Sequence, residues 1–163
     1  NAEKYPEIVE RMKEEGHVVG NHSYSHVQLN SMKEVEACKE MTKANEVIRK
    51  ITGETPNYVR PPFGAWSNNL DCITNMIVVL WDVDPLDWTT RNTAEVVRKV
   101  VNSAQENDII LLHDCYDSSV EAALEIVDQM LQEGYEFVTV SDLIYKDNYE
   151  IIHDGTQCKI ERN

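Results

Sequence analysis

Ile77-Val-Val-Leu-Trp-Asp-Val83 runs straight into Asp84-Pro-Leu-Asp87, and that junction decides the fold. The run is β-branched and almost wholly apolar, as an interior strand of a parallel sheet is when both its faces are covered. Pro85 has no N–H to give a ladder, so the strand stops there and polar side chains begin. The same join recurs along the chain. Asp108-Ile-Ile-Leu-Leu-His113 is a second buried run and opens onto Asp114, while Tyr58-Val-Arg60 feeds the loop Pro61-Pro-Phe-Gly64. His17-Val-Val-Gly20 is a shorter strand that delivers Asn21 and His22, and Phe137-Val-Thr-Val140 is the last expected strand.

Between these runs the apolar period is helical. Tyr5, Ile8, Val9 and Met12 recur at i, i+3, i+4 and i+7 ahead of Gly16. A longer helix starts after Asn30 or Ser31, either of which can cap it, and carries Met32, Val35, Val47, Ile48 and Ile51 on one side until Gly53 and Pro56 end it. Asn92 or Thr93 caps the next, with Val96, Val97, Val100, Val101 and Ala104 as its stripe; Ser118 or Ser119 starts another that runs through Leu131 to Gly134. Strands alternating with helices call for an α/β fold, either an open doubly wound sheet or a closed β/α barrel. In both, side chains just beyond the carboxyl ends of strands form the working rim. Asn21 and His22, Arg60, Asp84 to Asp87, and His113 with Asp114 all fall there.

Composition limits what that rim can serve. A chain of 163 residues, 42% hydrophobic and 27% charged, suits one soluble globular domain. It has no run of about 18 apolar residues, so no membrane span is expected. Its first residues, Asn1 to Pro6, lack a basic start and apolar stretch, so no secretory signal is expected on it. A net charge of −14 and a pI near 4.7 argue against nucleic acid, whose binding rests on Lys and Arg releasing counterions. The surplus acid reads as a solvated surface. Cys38, Cys72, Cys115 and Cys158 contain no Cys-x-x-Cys pair, so buried free thiols are the default, with disulfides undecided. Residues 146–163 are polar around Ile151-Ile152 and read as an extension packed on the surface.

His22 and His26 are four residues apart. If the stretch is one helical turn, such side chains share a face about 5–6 Å apart and can converge on one divalent ion, with zinc the natural guest. A third ligand must come from elsewhere. The bland alternatives are solvated histidines, an Arg60 paired with a surface carboxylate, Trp81, Trp88 and Leu111 packed in the core, and an Asp84 that only caps a turn ahead of Pro85. Asp114 could accept backbone hydrogen bonds in a turn and is assigned no catalytic role, and His17 and His153 read as ordinary residues.

Taken in order, His22-Ser-Tyr-Ser-His26, Arg60-Pro-Pro-Phe-Gly64, Asp84-Pro-Leu-Asp87-Trp88 and Leu111-Leu-His-Asp114 resemble four of the five motifs of the polysaccharide deacetylases, the NodB-homology enzymes of carbohydrate esterase family 4. The resemblance covers about residues 2–145. It implies an irregular (β/α) barrel of about seven strands, with a catalytic domain over 1–145 and a C-terminal extension over 146–163. It implies that His22 and His26 hold a divalent metal, most simply zinc, and that Arg60 orients a catalytic base. The Phe63 N–H would stabilise the oxyanion, His113 would be the general acid, and Asp87 would be its hydrogen-bonding partner. Trp88 and Leu111 would wall the groove for the acetyl methyl.

The family's first motif, Thr-Phe-Asp-Asp-Gly, which supplies the base and the third ligand, is nowhere in this sequence. The chain begins where the family has passed its first two strands, so about five of seven are encoded and an open sheet edge is expected. Asp82, Asp84 and Asp154 could stand in for the base, with no motif behind them. The implied function is metal-dependent removal of acetyl groups from N-acetylglucosamine-containing polysaccharide of peptidoglycan or chitin type, outside the cell or in its envelope. The implied partner is a complementary N-terminal fragment carrying the Asp-Asp pair. The alternatives are an acetylxylan esterase of the same family and a non-catalytic carbohydrate- or metal-binding remnant. A phosphoesterase is disfavoured, because no phosphate-cradling glycine loop or basic cluster is present.

Overall fold

The computed structural model describes residues 1–66 and 75–145, and as backbone the strands Tyr149–His153 and Cys158–Arg162. Cys72 and Asp154 lie outside the described residues, as do the side chains of Cys158 and His153. The fold is α/β and divides into two compact units, residues 1–80 with 139–163, and residues 81–138.

In the first unit, helix α1 (Pro6–Glu14) has proline in its first turn and ends before Gly16 at φ 88, as the periodicity predicts. None of its residues is buried, and Tyr5, Ile8 and Met12 stay exposed. Residues 17–20 form no strand; a single bridge pairs Asn21 with Val59, closed by Asn21 N–H to the Tyr58 carbonyl at 2.8 Å and Arg60 N–H to the Asn21 carbonyl at 2.9 Å.

Helix α2 (Glu34–Thr52) starts later than Asn30 or Ser31 would place it. The Ser31 hydroxyl donates to the Gln28 carbonyl at 2.7 Å inside a 3-10 turn, so it cannot cap, and Glu34 and Glu36 complement the helix dipole instead. Its buried stripe is Ala37, Met41, Ala44 and Ile48, which corrects the face read from sequence; Val35 is 66% exposed. Gly53, at φ 79, ends the helix in the left-handed conformation expected of a C-terminal glycine.

Strand β1 (Tyr58–Val59) pairs in parallel with β2 (Ile77–Val78), so only the first residues of the 77–83 run join this ladder. The 146–163 segment is more than a surface extension: β3 (Tyr149–His153) and β4 (Cys158–Arg162) pair antiparallel, and β4 lies parallel to β2, in the order β1-β2-β4-β3. The core beneath is Leu29, Ala37, Met41, Val59, Met76 and Val78. Residues 137–139 form no strand. Thr139-Val-Ser-Asp142 is a reciprocal cap, with Thr139 Oγ1 donating to Asp142 Oδ2 at 2.6 Å and Asp142 N–H donating to Thr139 Oγ1 at 3.2 Å, and it starts helix α6 (Val140–Tyr145).

In the second unit, Val83 and Ile110 form one parallel bridge where two full strands were expected. Leu111 N–H donates to the Val83 carbonyl at 2.9 Å, and Asp82 Oδ2 accepts from the Ile109 N–H at 2.8 Å. Three helices follow or separate these segments: α3 (Asp87–Thr90), α4 (Thr93–Ser103) and α5 (Asp117–Gln132). Asn92 caps α4 by accepting the Glu95 N–H at 3.1 Å. Val83, Val96, Val97, Val100, Ala122, Ile126 and Met130 make the core. Neither Ser118 nor Ser119 caps α5; Tyr116 precedes it, and Ser119 lies buried inside the first turn. Cys38 is disulfide-bonded and Cys115 is free and exposed, so neither is the buried thiol expected.

Candidate active site

Each unit places its polar motifs at the carboxyl end of a pair of parallel segments. In the first, Asn21 is the pivot. It is buried, donates from Nδ2 to the Met41 carbonyl at 2.9 Å and to Asn45 Oδ1 at 2.6 Å, and accepts the Ser23 N–H at 2.8 Å on Oδ1. The chain that leaves it is no helical turn: Ser23 and His26 take φ of 58° and 56°, and the loop is held to α2 by Glu40, which accepts both the N–H and the hydroxyl of Ser25 at 2.8 Å.

The two histidines still come together. Their ring centroids are 4.9 Å apart with the planes at 68°. His22 Nδ1 donates to the Arg60 carbonyl, and a histidine so held presents Nε2 as its ligand atom. This donor pair fits a borderline-soft divalent ion as part of a ligand set. Among the described residues no group of three His, Cys, Asp or Glu is arranged to hold a metal.

Arg60 leaves β1 beside the histidines. Its Nε donates to the Val79 carbonyl at 3.3 Å and its terminal nitrogen to the Leu80 carbonyl at 3.2 Å. Burial lowers its pKa from the ordinary arginine value, a sign that the cation is partly desolvated. Among the described residues it enters no ion pair, so the surface-carboxylate reading does not hold there. Phe63 follows in a left-handed conformation, φ 61 and ψ 12, clamped between the Gly64-to-Pro61 and Ala65-to-Pro62 backbone hydrogen bonds of 3.1 Å each. Its ring meets His26 edge-on at 4.9 Å.

In the second unit, Asp87 opens α3 and is 0% exposed. One carboxylate oxygen accepts His113 Nδ1–H and the other the His113 backbone N–H, both at 2.8 Å. Burial pushes the carboxyl up, yet the hydrogen bonds from the His113 ring and backbone, the nearness of the Ser119 hydroxyl and the attraction of the imidazole outweigh it and hold Asp87 below the usual aspartate value. With Nδ1 committed, Nε2 is the ring nitrogen left to exchange a proton. Trp88 beside the pair is about half exposed, while Leu111 is buried, in keeping with the packing role. Asp84 accepts the Leu86 N–H at 2.9 Å, which is the turn-capping role expected ahead of Pro85. Asp82 is occupied with Ile109, so neither aspartate replaces the base.

A family model described as polysaccharide deacetylase matches residues 1–79. The structure of the peptidoglycan deacetylase PdaC from Bacillus subtilis is similar with a TM-score of 0.86 at 42% identity, over 90% of this chain and 72% of that one. The chain belongs to the polysaccharide deacetylase family. Among curated members of the family, the Bacillus subtilis peptidoglycan-N-acetylmuramic acid deacetylase PdaC is 45% identical over 139 residues, 85% of this chain and 30% of that protein. A Bacillus cereus peptidoglycan-N-acetylglucosamine deacetylase is 35% identical over 150 residues, 88% of this chain and 54% of that protein. The chain thus spans from under a third to about half of the curated family members it matches. Sequence reasoning placed Asn21 on the rim without its buried hydrogen bonds to Met41, Asn45 and Ser23, and read Ser119 as a helix start where it is buried inside the first turn of α5.

Proposed function

We propose that this chain is part of a metal-dependent hydrolase that removes acetyl groups from amino sugars of peptidoglycan or chitin type, acting in the cell envelope or outside the cell. The observation that carries this reading is the Asp87–His113 pair, a buried carboxylate holding Nδ1 of a half-exposed imidazole at 2.8 Å, in a chain of this family. A polysaccharide whose amines are uncovered gains positive charge, which an acidic chain tolerates.

In this reading residues 1–145 are the catalytic domain, 146–163 an extension whose β3 and β4 join its sheet, and the finished fold an irregular (β/α) barrel of about seven strands. His22 and His26 would hold the ion, zinc by the chemistry of the donors. A divalent ion held by these two histidines would supply Lewis acidity for the acetyl carbonyl and for water near neutral pH. Arg60 would orient the carboxylate base and keep it ionised by its charge. The Phe63 N–H donates to the oxygen that gains charge as the carbonyl carbon turns tetrahedral. His113 gives its Nε2 proton to the departing nitrogen as the C–N bond breaks, and Asp87 fixes the ring and its tautomer through Nδ1. Trp88 and Leu111 line the place of the acetyl methyl.

The base and third ligand come from an Asp-Asp pair on a complementary N-terminal segment. The Arg60 guanidinium, outside every ion pair among the described residues, supports this. So do Ile8 and Met12, exposed on α1, and Tyr5 just before it. The test is acetate release by the native protein from peptidoglycan, chitin oligomers and acetylated xylan, with its intact mass measured in parallel. Chelator-sensitive release from the amino-sugar polymers is expected, and release from xylan alone would make it the esterase. A second reading, a carbohydrate- or metal-binding remnant, is favoured by the lack of a third metal ligand among the described residues. Sugar binding with no acetate release under any divalent metal would establish it.

A further inference from the structure

Ser119 belongs to none of the motifs, yet it lies against the proton-handling pair. It is the third residue of α5, 2% exposed, and its hydroxyl has no partner at hydrogen-bonding geometry among the described residues. A buried hydroxyl without a partner is uncommon in a well-packed protein and calls for an explanation. Helix α3 packs on α5, and the group this hydroxyl approaches is the Asp87 carboxylate. That carboxylate takes one hydrogen bond on each oxygen from His113, and an ionised carboxylate has room for about four. The backbone around Ser119 is pinned: its N–H donates to the Tyr116 carbonyl at 3.0 Å, the preceding Ser118 carbonyl accepts from Thr93 Oγ1 at 3.3 Å, and the Arg91 guanidinium lies over the Tyr116 ring at 4.5 Å.

We propose that Ser119 is a positioning residue of the acid pair: its hydroxyl turns its proton onto the Asp87 carboxylate and locks the rotamer from which Asp87 holds the His113 ring. This rests on His113 being the proton donor. The hydroxyl fits because it is short, buried and rotatable, so a small turn about its C–O bond redirects the proton. Of the other charges on the packed helices, Glu95 of α4 pairs with Lys99 at 3.0 Å and accepts from Thr90, and Glu121 of α5 accepts from Thr93; the rest are Arg98 of α4 and Asp117, Glu125 and Asp128 of α5.

The test is carboxyl-carbon NMR titration of Asp87 in the 163-residue chain. Ser119→Ala should raise the Asp87 midpoint by about half to one pH unit, Ser119→Cys by less, and Ser119→Thr should restore it. The His113 Nδ1–H proton signal should persist in all three, showing the pair still formed. In the native protein the alanine variant should lower kcat several-fold with KM unchanged. A midpoint unmoved in both the alanine and cysteine variants overturns the proposal, as does a shift that threonine fails to reverse or loss of the Nδ1–H signal. The titration needs no substrate, so absence of acetate release would strike the deacetylase reading alone.

Discussion

Replacing Asp87 with asparagine keeps the volume and changes only the pattern of donors and acceptors. The carboxylate accepts two hydrogen bonds of 2.8 Å from His113, one from the ring and one from the backbone, at a site with no exposure. An amide offers one accepting oxygen and one NH2, so one bond is lost and two donors face each other. A hydrogen bond to a charged group contributes about 1.5–3 kcal/mol. The His113 side chain is 36% exposed, so solvent screening argues for the lower end, about 1.5 kcal/mol, on the ring side. In turnover that is roughly a tenfold fall in kcat, and about a hundredfold or more if the ring also adopts the wrong tautomer. In stability the lost bond and the opposed donors cost about 1–3 kcal/mol, which lowers a urea midpoint by roughly 1 M. Urea unfolding of the chain and acetate release by the native protein measure the two effects. An Asp87→Asn protein that unfolds at the wild-type midpoint and turns over at the wild-type rate would refute the assignment of this pair.

Arg60→Lys should cost more activity than stability. One ammonium cannot reproduce the two carbonyl contacts and the planar fork a carboxylate base requires, so acetate release should drop at least about tenfold while the unfolding midpoint moves by less than about 1 kcal/mol in equivalent stability. Asn21→Ala removes two donated bonds and one accepted bond at a buried site. It should destabilise the chain by about 2–4 kcal/mol in chemical denaturation. The folded-state pKa of Asp87 is depressed, so the carboxylate contributes stability that is fully present above the unfolded aspartate value near 4 and is lost as pH falls through the lower folded value. Unfolding midpoints measured from pH 6 down to pH 2 should show that loss in the wild type and a smaller one in Asp87→Asn.

Much of this was legible in sequence because it is local. The apolar stripe of α4 repeats every three to four residues, and Asn92 and Gly53 mark helix ends by their own backbone preferences. The errors arose where tertiary contacts overrode local preference. Ser31 spent its hydroxyl on a carbonyl, Val35 turned outward while Ala37 and Ala44 turned into the core, and Thr139 with Asp142 captured a β-branched run into a helix. That last pattern, Thr-x-x-Asp, was readable as a cap and was outweighed by the valines around it.

By itself the order of residues determined the chemical inventory: two histidines at a spacing of four, an arginine before Pro-Pro, an aspartate and a later histidine, each beyond an apolar run. Residue type and short-range spacing are carried by the chain whatever its path. Only the tertiary structure decided which atoms are committed and which are left for chemistry. His22 gives Nδ1 to the carbonyl of a residue 38 positions away, and Asp87 holds both the ring and the backbone of one 26 positions away. Such pairings follow from which parallel segments lie side by side and how deeply each side chain is buried, and no local pattern encodes either.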